Sequence, residues 1–229
     1  MPVRILTRRF LLLVWLPLIA FVYFGTLIIA ARLSPHAYNW RRMAISKLLY
    51  PGYDPKLHYV ASLGLALTGL LMLPLAGYIR RRLRKIAPII VDIGAFALAL
   101  GAIGLILAGL IVSHPLHGTS AFPWLHEILA RSAALALGAG IIAFWVCAAK
   151  GFSNGTSEWR WLLFCWSLVT LPALLVIVLR IVAAAHLGWS NPLYHKLESR
   201  TLWHLGFWEW LGSVAVFFFL LSAAVFLPE

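Results

Sequence analysis

Continuous apolar runs dominate the chain, and the polar residues gather where the runs end. Hydrophobic stretches near 10–32, 58–79, 88–112, 126–149, 160–187 and 206–227 each reach the roughly 20 residues a helix needs to cross a hydrocarbon core of about 30 Å. Pro and Gly punctuate the intervals, in YPGYDP (50–55), SHPLHG (113–118) and GWSNP (188–192), as turns require. A transmembrane barrel would show short alternating segments instead. The pattern predicts an all-α fold, a polytopic transmembrane helical bundle with six spans. These use up most of the 229 residues, so residues 1–229 are expected to form one six-helix domain with no separate soluble part and no solenoid repeat. The opening MPVRILTRRF has the basic start of a signal peptide. The apolar run behind it exceeds the roughly 7–15 residues of a cleavable core and reads as a retained first span.

Composition agrees. The chain is 62% hydrophobic and 11% charged, with a mean hydropathy of +0.91, whereas soluble domains are about 45–50% apolar and about 25% charged. The formal charge of +12 would suggest nucleic acid in a soluble protein. In a membrane protein, Lys and Arg near the spans set orientation and meet lipid headgroups, and nucleic acid is set aside as a partner. Cys147 and Cys165 flank a predicted inner loop, where the cytosol keeps thiols reduced, and read as apolar fillers.

Orientation follows from the basic residues of short loops. With the N-terminus inside, ten of them fall on the inner side: Arg4, Arg8, Arg9, Arg80, Arg81, Arg82, Arg84, Lys85, Lys150 and Arg160. Nine fall outside. The compact cluster at 80–85 tips the expectation to N-in and C-in. Trp40, Trp124, Trp189, Trp203, Trp208 and Trp210 then fall near the outer interface and Trp159 and Trp161 near the inner one, as aromatic belts. Gly94, Gly101, Gly104, Gly109, Gly138 and Gly140 suit close approach of helices within the bundle. A homo-oligomer contact is the alternative use of the same glycines.

Under this topology all eight histidines lie on the outer side, together with Asp54, Glu127, Glu198 and Glu209. The inner side is expected to carry essentially basic residues alone. Arg180 sits about two turns below the outer end of the fifth span, roughly 10 Å deep, where a charge costs a few kcal/mol unless it snorkels or finds a partner. Arg131 follows Glu127 by four residues, on one helical face. His204 and Glu209 are about 140° apart around the sixth span. Glu209, the deeper of the two, is the candidate partner for Arg131 or Arg180. The loop LSPHAYNWRRMAISKLLYPGYDPKLHY (33–59) reads as a basic interfacial segment, with Met43, Leu48 and Leu49 buried and Arg41, Arg42 and Lys47 at headgroups. The alternative is a re-entrant segment folded over the outer mouth.

These polar residues suit some chemistries and not others. Zinc needs three or four converging His, Cys or carboxylate ligands, which His114, His117 and His126 could begin to supply with Glu127. HEXXH spacing is absent, because Ile128, Leu129 and Ala130 follow Glu127. Haem would need axial histidines paired across helices, and one-sided histidines disfavour it. The one G-x-S-x-G match, GFSNG (151–155), lies between two apolar runs rather than at a strand-to-helix elbow, and no phosphate-loop glycine motif occurs. Arginine recognises phosphate and carboxylate through paired N–H donors, so an anionic lipid headgroup is the ligand this chemistry suits.

The runs ISKLLYPGYDPKLHYVASLGLALTGLLMLPLAGYI (45–79), HPLHGTSAFPWLHEILA (114–130) and HLGFWEWL (204–211) together resemble the six-span bacterial membrane family called domain of unknown function 998. That family is similar in outline to the DRAM-like group. The resemblance implies the six-span fold and a bacterial cytoplasmic (inner) membrane, and it implies no catalytic residue. Ceramidase-like zinc hydrolases, by contrast, have seven spans. The leading expectation is an outer pocket that binds an anionic lipid or lipid-linked headgroup, with processing or movement of that lipid as its extension. Arg131 and Arg180 would hold the anion, Glu127 and Glu209 would orient them, and His126 and His204, with His114 and His117, would hydrogen-bond or transfer protons. A zinc-dependent membrane lipid hydrolase and a non-catalytic structural subunit are the alternatives.

Overall fold

The computed structural model describes residues 7–51, 53, 56–113, 123–153, 157–187 and 204–227. Six helices in it are long and apolar enough to cross a membrane. In chain order they are α1 (Arg8–Leu33), α3 (His58–Leu83), α4 (Pro88–Ser113), α5 (Pro123–Phe152), α6 (Ser157–Leu187) and α7 (Leu205–Phe226), with a four-residue helix α2 (Ser46–Leu49) between the first two. Among the described residues there is no strand. The protein is an integral membrane protein of all-α architecture with six spans.

Local chemistry accounts for the helix starts and irregularities. Pro88 and Pro123 open α4 and α5, where a missing N–H costs nothing. Pro17 lies further inside α1, and the turn before it, Leu11–Trp15, widens into a π-helix. A wide turn accommodates a proline that cannot donate to the preceding turn. Pro74 and Pro172 interrupt the ladders of α3 and α6.

Each span packs on its neighbours in sequence, and α7 returns to α1. An even number of crossings brings both chain ends to one side of the bundle. The Arg8 Nε donates to the Ala224 carbonyl at 3.0 Å, tying α1 to the end of α7. This side also holds Arg80–Arg82, Lys150 and Arg160 and is called the arginine end. The opposite, histidine end holds His58, His126, His204 and Glu209.

The expectation of an arginine end with basic residues alone is corrected by the structure. Asp92, one turn into α4, accepts from the Arg80 Nε at 2.7 Å, and Glu158 opens α6. Grouping charges by loop hid both carboxylates, because each lies inside the first turns of a helix rather than between helices.

The main core is built at the arginine half, where α5, α6 and α7 meet. The rings of Trp166 and Phe219 lie 4.6 Å apart, with Phe144 stacked on Phe219 at 6.1 Å. The Trp166 Nε1 donates to the Ser222 hydroxyl at 2.9 Å, and the Trp145 Nε1 to the Ser167 hydroxyl at 2.9 Å. Buried indoles need such acceptors. Both cysteines are free, and Cys147 is buried in this core.

The glycines of α4 serve contacts within the chain. A Cβ on Gly101 would lie 2.6 Å from Leu137, one on Gly104 2.7 Å from Ala133, and one on Gly109 2.5 Å from the Ser62 carbonyl. Only a bare α-carbon permits this approach.

Candidate functional site at the histidine end

Residues 34–49 form a strap across the mouth of α1 and α7. Ile45, Leu48 and Leu49 are buried beneath it against Tyr23, Leu27 and Ala61, while Arg41, Arg42 and Lys47 stay exposed. Leu48 and Leu49 are buried as expected from the sequence, whereas Met43 is only half-buried and Ile45 takes the buried place, and the regular helix is only the short α2. Gly206 lets the strap lie on α7, since any side chain there would collide with the Met43 carbonyl.

The strap is pinned by polar groups. Glu209, in the second turn of α7, accepts the Ile45 N–H at 2.5 Å and also the Ser46 N–H. A carboxylate suits the orphan donors that start a helix. The Tyr38 hydroxyl donates to the Met43 carbonyl at 2.9 Å and accepts from the Trp210 Nε1 at 3.0 Å. Burial pushes the Tyr38 phenol above its ordinary range, against the opposing pull of the Trp210 bond. Ser213 donates to the Glu209 carbonyl at 2.7 Å and lies 2.6 Å from the Tyr23 hydroxyl. Tyr23, Tyr38, Trp210 and Ser213 were not among the residues the sequence singled out. An aromatic belt had absorbed Trp210, and two tyrosines and a serine in separate segments form no motif.

The sequence-predicted residues are distributed as follows. Glu209 is engaged by the strap, and its expected pairing with Arg131 is not among the ion pairs of the described residues. The His126 ring sits half-buried between helices, with Nδ1 3.2 Å from the Ala108 carbonyl of α4. His204 is the half-buried cap residue of α7. Arg131 is exposed. His114 and His117 lie outside the described residues, as do the side chains of Glu127 and Arg180. Among the described residues no three His, Cys, Asp or Glu side chains are grouped to hold a metal.

Helical register shows how the two arginines relate. Arg131 lies 19 residues before Lys150, and Arg180 lies 20 residues after Arg160; at about 1.5 Å per residue these are spans of ~29 and ~30 Å. That is one hydrocarbon thickness. Counted from the turn between α5 and α6, the two positions are level to about 3 Å. Measured from Lys150 and Arg160, the two positions thus lie at one level along the bundle.

Seven-residue intervals share a helix face to within about 20°. On α5, the face of Trp145, which meets α6, continues through Gly138 to Arg131. On α6, the face of Trp166 continues through Ala173 to Arg180. On α7, the face of Phe219, which meets Trp166, continues back to Gly212. At Gly138 and at Gly212 a Cβ would meet nothing within 4 Å. One heptad above the aromatic core, these faces of α5 and α7 open onto unfilled space.

The second half of α6 is open as well. Thr170 is buried, but Ile177, Val178 and Leu179 are 53%, 53% and 48% exposed. Three successive residues point in directions about 100° apart. No described neighbour encloses the helix there. The apolar, open faces of α5, α6 and α7 below the level of Arg131 and Arg180 outline a candidate cleft.

Residues 18–226 match the family model described as protein of unknown function DUF998. The chain belongs to this family. The match runs from the first turns of α1 to the end of α7, so the strap, the cleft and the arginine end all lie within the family's shared region. No curated protein and no solved structure matches this DUF998 chain significantly.

Proposed function

We propose that this DUF998 protein binds an anionic lipid or lipid-linked headgroup in the cleft between α5, α6 and α7. The headgroup sits at the level of Arg131 and Arg180, and the acyl chain lies along the apolar wall of α6. The observation that carries this reading is the empty space at Gly138 and Gly212 directly below that level. Two arginines at one level offer paired N–H donors to a phosphate, and a sideways opening lets an amphiphile enter from the bilayer without leaving it. The Lys/Arg cluster supports an orientation with the arginine end in the cytoplasm and the cleft in the outer leaflet of a bacterial cytoplasmic membrane.

The test is native mass spectrometry of protein released from membranes into mild detergent. Wild type retains an anionic lipid. Arg131→Gln is expected to lower its occupancy roughly fivefold, the effect of one cation near an anionic surface. Gly212→Leu, which fills the cleft without touching a charge, is expected to do the same. Unchanged lipid in both variants overturns the proposal.

A further inference from the structure

A second feature lies at the opposite end of the molecule and does not depend on the cleft. A groove of about 340 Å³ runs along α3, lined by Leu73, Pro74, Gly77, Arg80 and Arg81. These positions fall at intervals of three and four residues, so they form one helical stripe. Its floor is apolar, and its upper rim is a pair of guanidiniums at the interface. Gly77 supplies the depth, because nothing lies within 4 Å of where its Cβ would be.

Charge is strongly one-sided here. Arg80, Arg81, Arg82, Arg84 and Lys85 fall within six positions, and the carboxylate beside them is Asp92. Arg82 is turned aside onto the Tyr78 ring at 5.5 Å. Arg80 uses its Nε on Asp92 and is still 44% exposed. A guanidinium has five N–H donors, so this bond fixes the orientation of Arg80 and leaves its terminal nitrogens for an anion. Apolar floor and cationic rim follow the order of an acyl chain and its phosphate along the membrane normal.

We propose that the α3 groove binds one anionic phospholipid of the leaflet at the arginine end. Its phosphate is held by Arg80 and Arg81, and an acyl chain lies over Gly77 and Pro74. Such a lipid extends the packing of α3 at the point where Pro74 interrupts the helix. It is a built site, distinct from diffuse attraction of the whole cluster to a charged surface, and the two make different predictions.

The experiment uses the full chain in nanodiscs of phosphatidylcholine containing a minor fraction of phosphatidylglycerol, with bound lipid counted by native mass spectrometry after release. Gly77→Leu fills the groove, leaves every charge in place and has open space to enter. Arg81→Gln removes one rim charge and leaves the groove open. Counted in a Gly212→Leu background, which fills the cleft at the other end, both are expected to lower retained phosphatidylglycerol roughly fivefold, the effect of about one lost cation at the rim, with unfolding temperatures close to wild type. If Gly77→Leu retains as much as that background alone while Arg81→Gln retains less, attraction is diffuse and the site does not exist. Full displacement by soluble glycerol phosphate overturns the acyl-chain part of the proposal. Failure here leaves the cleft reading untouched, since that rests on Arg131 and Gly212 at the other end.

Discussion

Helices α4 and α6 are equally apolar, with mean hydropathies of 2.4 and 2.6 over their spanning windows, yet they pack in opposite ways. Helix α4 is gripped along its whole length, through Gly94, Gly101 and Gly104 against α5 and through Gly109 against α3. Helix α6 is gripped only as far as Thr170 and stands clear beyond it. The difference lies in small residues: α4 has four glycines and α6 has none between 157 and 187. Lipid tails are as apolar as leucine, so burial gives no drive for helices to associate within the membrane, and close packing decides. Hydropathy selects the spans, and glycine placement selects which of them close together.

The largest expected effect is within α6 itself. Trp166→Ala removes a buried ring packed on Phe144 and Phe219 and is expected to cost about 3–5 kcal/mol. Leu175→Ala, in the half that stands clear, is expected to stay within about 0.5 kcal/mol. Equilibrium unfolding in mixed detergent measures both. Similar losses at the two sites would mean that the outer half of α6 is packed in the membrane, and the cleft would disappear with the contrast.

Glycine substitutions sharpen the comparison. Gly109→Leu forces a side chain against the Ser62 carbonyl and is expected to cost about 1–3 kcal/mol or more. Gly138→Leu enters open space and is expected to be neutral or slightly stabilising, because glycine is a poor helix former. Thermal unfolding of the two variants side by side gives the answer, and a destabilised Gly138→Leu would close the cleft at its floor.

These contrasts also mark what the sequence could and could not disclose. The six spans were legible because length and continuous apolarity are local properties, and the use of Gly94, Gly101, Gly104, Gly109 and Gly140 in close helix contacts followed from residue type. Gly138 carries the same signal and proved to face open space. Whether a glycine meets a neighbour is decided by the neighbour. The partners of Glu209 were illegible for a related reason: they are the backbone N–H groups of Ile45 and Ser46, and every residue but proline has such a group. Asp92 was overlooked because it lies inside the first turns of α4, where a grouping of charges by loop does not look. The cleft itself is an absence of packing, for which the lack of glycine in α6 was the one signal in the sequence.

The strap gives the next prediction. Glu209→Ala leaves the Ile45 and Ser46 donors without their acceptor under a partly buried strap, expected to cost about 1–3 kcal/mol locally. Hydrogen exchange of residues 38–49 should rise while that of α4 stays unchanged. Glu209→Gln keeps an acceptor oxygen and is expected to restore most of the protection. Equal exchange in all three proteins would show that the apolar contacts of Leu48 and Leu49 hold the strap alone.

The smallest effect concerns pH. Burial raises the Tyr38 phenol in the folded protein, while in the unfolded chain it titrates near its ordinary value of about 10. The contribution of neutral Tyr38 is therefore complete below about pH 10 and is lost as pH rises from there toward the folded value, because ionisation then favours the unfolded strap. Its hydroxyl accepts from the Trp210 indole, so Trp210 fluorescence should change above pH 10 at moderate ionic strength. Tyr38→Phe lacks the phenol and should abolish that component while leaving the signal at neutral pH to report the strap. Helix α4 has no tyrosine, and its contacts through Gly101 and Gly109 should be indifferent to pH over the same interval. A transition that persists in Tyr38→Phe would assign the alkaline sensitivity to another group and remove Tyr38 from the account of how the strap is held.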